Sequence, residues 1–499
     1  MPEPAPEVPA QPPVLPAGGR RLNIFIDQVQ LGTLHEDNDL WTLAYLLQWV
    51  ERPDSFDLSP ALPRSKLVHR DGSTLRPVQW YFDNLLPEEK LRELIAADAH
   101  LRNHDDAFAL LAYLGAESAG SLTLLPPGEL PPTRADLKPL PYEELSRRIL
   151  GLPRTPLTRE ASKRMSLAGA QHKMLAVLKG PDLYEPVGST PSTHILKPDH
   201  PASDTYPASA YLEWLTMRLA AAAKLATPRV ELLRVPQPVY AIERFDRQFD
   251  RADFAPETAA TPPAVRRVHV IDACQLLNKS RVFKYGADVQ VLRELSQACE
   301  DKLTTPVLLF RWLAFNLLVA NDDCHLKNLS FLVTPGRVDL CAHYDLLATG
   351  AYHTRAFADE QGRWPAVPLA VRLSPEVARF DQVTPEAVLA AATTLGVPEK
   401  LALRTVREVV TRVLVAFDAL YAEYDPQQEG LMARLKGGDF RVSELEAQDH
   451  LEAPGPDNAA ARVAAPEHAQ QLKLLRVLRY IVLPEMVPRV LAGCQLGPV

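Results

Sequence analysis

Four short segments of this chain carry residues whose types and order suit chemistry on a phosphate group. SLAGAQHK (166–173) is a loop of small residues directly before an apolar, strand-like run. THILKP (193–198) places Lys197 at the end of the next strand-like run. NDDCHLKNLSFLV (321–333) sets Asp323 five residues before Asn328, and HYD (343–345) ends on Asp345 one strand further on. Phosphoryl transfer needs such parts in this order. Small residues let backbone N–H groups approach phosphates, and a strand lysine neutralises their charge. An aspartate accepts the acceptor's proton, an asparagine five residues on offers a metal ligand, and a second aspartate holds Mg²⁺ between phosphate oxygens.

Taken singly, each part is weak. SLAGAQ has one glycine and no Walker GK[ST], a lysine at a strand end is ordinarily a solvated charge, and D-x-x-x-x-N recurs by chance. Their joint occurrence in one order carries the reading. Asp322 adjoins Asp323, and counting back from Asn328 selects Asp323 as the base. The competing chemistry is zinc, for which Cys324, His325, Cys341 and His343 offer two sulfur and two nitrogen ligands. Structural zinc sites usually separate paired ligands by two to four residues, whereas here one pair is adjacent and the other is C-x-H. The cysteines read better as small core residues. No G-x-S-x-G elbow supports a serine hydrolase.

Elements to position these residues can be read from the pattern. RLNIFIDQVQLGTL, from Arg21, alternates as a strand pair, 88–114 has helical periodicity, and SLTLLPP (121–127) is again a strand. The Pro-rich 126–141 reads as a semi-rigid linker. A helix near 142–150, strands at 174–180 and 193–198, a long helix across 208–224 and strands VELLRV and VYAIERF follow. The polar, Pro/Ala-rich 246–267 reads as an insertion or mobile loop. From Val268 the pattern turns mainly helical, near 288–300, 306–320, 384–395 and 398–424, with a loose 447–466 and a last helix.

Composition frames this. The 499 residues suggest two to four domains, and 46% hydrophobic with 23% charged residues is an ordinary globular balance. Proline is about twice as common as usual, with 46 residues but no Gly-X-Y period, which excludes collagen. A net charge of −8 argues against non-specific nucleic-acid binding by the whole chain. Five scattered cysteines fit a reducing compartment. The leader reads as no signal peptide, and the apolar stretch 307–320 is too short to span a bilayer. A cytoplasmic protein with no membrane contact is expected.

The motifs together resemble the HipA family of bacterial serine/threonine-protein kinase toxins, from about Arg21 to about Tyr424. WYFDNLLPEE (80–89) and AYLGAESAGSLTLLP (112–126) look like its N-terminal subdomain. RMSLAGAQHK (164–173), THILKP, AIERFDR (241–247), NDDCHLKN and HYDLLAT (343–349) look like its kinase motifs. The resemblance implies an α+β, two-lobed protein-kinase-like fold with an added N-terminal subdomain and a mostly helical C-terminal lobe. It gives an N-terminal subdomain 21–130, an N-lobe-like part 142–250 and a helical C-lobe 268–430; the Pro-rich leader 1–20, which reads as disordered, and an extension 431–499 have no counterpart in it.

ATP and Mg²⁺ would be the cofactors. Asp323 would be the catalytic base, and Asn328 and Asp345 the Mg²⁺ ligands. Lys197 would meet the nucleotide phosphates, as would the loop of Ala168, Gly169, Ala170, Gln171, His172 and Lys173. Glu243, Arg244 and Phe245 would form a hinge meeting adenine through backbone groups, with Phe245 otherwise a core aromatic. His325, Leu326, Lys327 and Tyr344 would border the nucleotide, although His325 could equally brace the catalytic loop. Glu213 is the candidate ion-pair partner of Lys197. Ser166 stands where family members autophosphorylate, its plainer reading being a turn cap. His172 stands where an acidic residue is frequent in the family, and Cys324 where Gly or Ala is common. The implied partners are a HipB-like DNA-binding antitoxin, with DNA reached only through it, and a protein substrate such as an aminoacyl-tRNA synthetase. The rival readings are a catalytically silent corepressor and a small-molecule kinase.

Overall fold

Alternating apolar and polar residues after Arg20 fold as expected into strands. In the computed structural model, which describes residues 18–163, 166, 168–169, 171–254, 261–424, 429–436 and 466–491, β1 (Arg20–Ile26) and β2 (Val29–Asp37) form an antiparallel hairpin. β3 (Leu40–Tyr45) follows β2 through Asn38 and Asp39, both at positive φ, the geometry of a tight two-residue hairpin turn. With β4 (Val68–Arg70) and β5 (Leu122–Leu125) they make an antiparallel sheet ordered β4-β3-β2-β1-β5. Leu22, Ile24, Leu34 and Leu43 are buried beneath the helices Pro77–Asp83 and Ala107–Leu114, and Trp41 meets Phe108 edge-on at 5.2 Å.

Two compact units divide the chain. The first comprises the chain up to Ile195 with Arg244–Phe283 and Ser330–Asp339; the second comprises Leu196–Glu243, Lys284–Leu329 and the chain from Leu340 onward.

Within the first unit, two sequence expectations change. The 126–141 segment is not wholly a linker: β6 (Ala135–Pro139) pairs along its length with β8 (Asp182–Gly188), itself paired with β7 (Met174–Lys179). Pro139 is tolerated because β6 lies at the sheet edge, and beyond it the Leu140 N–H still donates to the Leu183 carbonyl at 2.9 Å. The 246–267 segment is likewise anchored, Arg247–Phe249 pairing with Val265–Arg267, while 255–260 lie outside the described residues. Of the leader expected to be disordered, 1–17 fall outside the described residues and Arg20 already belongs to β1. Of the loose 447–466, 447–465 fall outside them and Pro466 opens a helix.

The second unit is mainly helical. Thr305–Leu318 is apolar around most of its circumference, and Leu309, Phe310, Trp312, Leu313 and Phe315 are all buried, as befits a central helix. It packs against the long helix Glu399–Ala422. Pro385–Leu395 begins with a Thr384 cap and proline in its first turn and ends at left-handed Gly396, so its termini are written in the sequence. The hairpin β10 (Val230–Arg234) and β11 (Pro238–Glu243) packs on the helix Ser209–Ala222. Among the described residues no helix is long and apolar enough to cross a membrane.

Candidate active site

The central helix delivers the first side chains. After Leu318 the chain turns at Ala320, whose φ is 56°, and its carbonyl accepts from the Gly350 N–H at 2.7 Å. Asn321 then knits the turn: its amide donates to Asn316 Oδ1 at 2.8 Å, and its oxygen accepts from the Asp323 N–H at 3.0 Å. A short 3₁₀ turn, Leu326–Asn328, follows, and the Asn328 amide reaches back to the Asp323 carbonyl at 2.9 Å.

The two adjacent aspartates have different surroundings. Asp322 pairs with His353 Nε2 at 2.8 Å. Asp323 instead accepts from the Tyr285 hydroxyl at 2.6 Å, and 47% of its side chain remains open to solvent. Desolvation pushes the Asp323 carboxyl up to about 7; the Tyr285 bond opposes this, while the Asp345 and Asp322 charges add to it. The open solvent face tempers the push. A carboxylate so placed and titrating near neutrality suits a general base.

Lys197, near the end of β9 (His194–Pro198), is buried with its ammonium 2.7 Å from Glu213 Oε1 and 2.5 Å from Asp345 Oδ1. Burial alone would favour the neutral amine, but the two carboxylates outweigh it and hold the lysine charged. Glu213 is supplied by the helix Ser209–Ala222 and is fully buried, so the sequence's candidate pair forms directly. Asp345 adopts a left-handed backbone, which aspartate tolerates better than most residues. The Tyr344 hydroxyl donates to the Lys327 carbonyl at 2.8 Å, tying this segment to the 3₁₀ turn.

Magnesium takes hard oxygen donors and fills its shell with phosphate oxygens and water. Asp345 is such a donor. The Asn328 N–H₂ donates to the Asp323 carbonyl, so its amide oxygen, also a hard donor, is the atom that would join Asp345. Among the described residues no group of three or more His, Cys, Asp or Glu is disposed to hold a metal. Of the residues weighed for zinc, Cys324 donates its thiol to the Asn321 carbonyl and His343 stacks on Trp312.

Apart from Glu243, which belongs to the second unit, the residues that follow lie in the first unit. Ser166 is fully buried: its hydroxyl donates to the Leu85 carbonyl at 2.7 Å, its N–H to the Glu117 carbonyl at 2.7 Å, and its carbonyl accepts from Ala119 N–H at 3.2 Å. Gly169 has φ 105°, and its carbonyl accepts from Glu88 N–H at 3.3 Å. The Lys173 ammonium closes on the Ala168 carbonyl at 2.6 Å, and His172 is buried. Ala170 lies outside the described residues. Arg244 is committed side chain and backbone: its guanidinium grips Asp246 at 2.6 and 2.9 Å, and its N–H donates to the Thr193 carbonyl. The Glu243 N–H is likewise taken, by the Arg229 carbonyl.

Sequence reading missed two functional-looking residues. Tyr285 reaches Asp323 from 38 positions away, with no local motif to announce it. Glu117, fully buried, accepts from Ser192 and pairs with Lys163, Arg244 and Arg247. It lies in a segment noted only for its likeness to the N-terminal subdomain.

Residues 22–125 match the HipA N-terminal domain family, and residues 165–417 match the HipA-like C-terminal domain family. The chain belongs to the HipA family. A serine/threonine-protein kinase toxin HipA of Shewanella oneidensis is 28% identical over 351 residues, 66% of this chain and 76% of that protein. The putative kinase Y4mE of Sinorhizobium fredii is 35% identical over 347 residues, 67% of this chain and 78% of its own length. The solved complex of Shewanella oneidensis HipA, HipB and operator DNA superposes with a TM-score of 0.65 at 24% identity, covering 94% of this chain and 99% of that one. The HipA-family fold, α+β and protein-kinase-like, is thus this chain's fold.

Proposed function

We propose that this HipA-family chain is an ATP-dependent serine/threonine protein kinase and the toxin of a toxin–antitoxin pair. The observation that carries the reading is the buried Lys197 held between Glu213 and Asp345. A lysine kept charged and fixed by two carboxylates is poised to be shared with phosphate oxygens.

Asp323 takes the proton from the acceptor hydroxyl as its oxygen attacks the γ-phosphorus; the bond to the β–γ bridging oxygen breaks and ADP leaves. Lys197 orients the phosphates, and the 168–173 loop meets them through its backbone. Asp345 and the Asn328 oxygen would hold magnesium, which when bound neutralises charge building on the phosphate oxygens. His325, Leu326, Lys327 and Tyr344 border the nucleotide. With the Glu243 and Arg244 N–H groups already bonded, the hinge meets adenine through its other backbone groups. Ser166 is a site of autophosphorylation, which requires its buried hydroxyl to leave the Leu85 carbonyl.

The partner is a HipB-like antitoxin, through which DNA is reached. The target is a protein of translation, an aminoacyl-tRNA synthetase for example, in the cytoplasm. Incubation with labelled ATP and Mg²⁺ tests the kinase: incorporation into protein, with phosphate on Ser166 by mass spectrometry, is expected. ATP binding without any transfer would favour the silent corepressor. Phosphoproteomics after induced expression then identifies the target, and label found only on small molecules would favour a small-molecule kinase.

A further inference from the structure

Tyr285 has no place in the motifs that announce a kinase, yet three contacts tie it and its neighbour to the loop carrying the proposed base. Its hydroxyl donates to Asp323 Oδ1 at 2.6 Å. Its ring meets His325 edge-on, with centroids 5.0 Å apart and planes at 79°. The carbonyl of the preceding residue, Lys284, accepts from the Leu326 N–H at 3.1 Å. The following residues are pinned as well: the Gly286 carbonyl accepts from Arg372 at 3.1 Å, and Ala287–Asp288 pair in parallel with Val371–Arg372.

These contacts go beyond what a surface tyrosine needs. The residue is 49% exposed, and a phenol with that much solvent would find water. It is instead aimed at one oxygen of a carboxylate in a short, charge-assisted bond. An aspartate side chain rotates about two bonds. Fixing one oxygen fixes where the other points, and alignment of reacting groups governs the rate of transfer.

We propose that Tyr285 is a positioning residue for the base: by holding Asp323 Oδ1 it presents Oδ2 to the acceptor hydroxyl. This rests on the kinase reading. Tyr285 acts through Asp323.

The test is ADP formation from Mg-ATP by the full chain, which counts transfer to any acceptor, protein or water. Tyr285→Phe keeps the ring against His325 and removes only the hydroxyl. We expect kcat to fall about tenfold, with KM for ATP within about twofold of the parent and thermal unfolding unchanged. Tyr285→Leu, which also loses the ring, should fall at least as far in kcat and unfold earlier. An unchanged kcat in Tyr285→Phe overturns the proposal. So does a raised kcat, which would mean that the hydroxyl occupies the acceptor's place and competes with it. Absence of ADP from the parent protein, with ATP bound, would instead sink the kinase reading itself.

Discussion

The side-chain amide of Asn328 donates to the backbone carbonyl of Asp323 across 2.9 Å. This one bond joins the proposed metal ligand to the backbone of the proposed base, so the Asp323 backbone and the Asn328 side chain are held together. It also explains the fixed interval of five residues, since a single 3₁₀ turn brings the amide back to the start of the loop. Asn328→Asp replaces the donor with an acceptor facing a carbonyl, and the loop must open. We expect the Mg²⁺ concentration for half-maximal transfer to rise about 10–100-fold, read from initial rates across a magnesium titration. An unaltered requirement would remove Asn328 from the metal site.

Glu213→Gln leaves Lys197 with Asp345 alone. The amide keeps the volume but gives up the charge–charge attraction inside a buried site. The expected result is a stability loss of about 1–3 kcal/mol by denaturant unfolding and a raised KM for ATP. Wild-type ATP affinity in the folded variant would argue that Glu213 does not fix the lysine.

Transfer should depend steeply on pH near neutrality. Desolvation, opposed by Tyr285 and aided by Asp345 and Asp322, lifts the Asp323 carboxyl to about 7. Below that pH the base carries its proton and cannot take another, so the rate should climb as pH rises through neutrality. Stability runs the other way. The folded state binds this proton more tightly than the unfolded chain, so this group's contribution declines from about pH 4 to about 7 and is flat above. A rate profile flat from pH 5.5 to 8 would contradict the assignment.

Glu117 predicts a structural effect in the first unit. Burial alone would raise its pKa, yet Lys163, Arg247 and Arg244 outweigh it and hold the carboxyl well below its ordinary value. With the folded pKa depressed, this stabilisation is present above about pH 4.5 and is lost as pH falls through the folded value. Glu117→Gln strands buried cations, at a cost of about 3–5 kcal/mol. A clear drop in Tm and a flatter acid limb of the stability curve are expected. A variant as stable as the parent would mean that Asp246 suffices to compensate Arg244 and Arg247.

Where an element's form rests on its immediate neighbours, the sequence is a sound guide. The β1–β2 strand pair and the helix Pro385–Leu395 are local patterns, and each takes the expected form, while the Asp323–Asn328 interval closes as one short turn. β6 was hidden because its residues are mostly exposed and crowded by prolines, so no alternation marks them. Tyr285 and Glu117 act across long separations, where spacing carries no signal. Arg244 shows the opposite case: the motif conceals a guanidinium committed to Asp246, Glu117, Ser192 and the Ser118 carbonyl.

The central claim is that Asp323 and not Asp322 is the base, and phosphate transfer by the two amide variants tests it most directly. Asp322 is occupied by His353, so Asp322→Asn should keep most of its activity with a modest loss of stability. Asp323→Asn keeps the volume but has no proton acceptor, and its transfer should fall by about 10²–10⁴-fold while ATP still binds. Near-normal transfer by Asp323→Asn, or an inactive Asp322→Asn that is folded and binds ATP, would contradict the account.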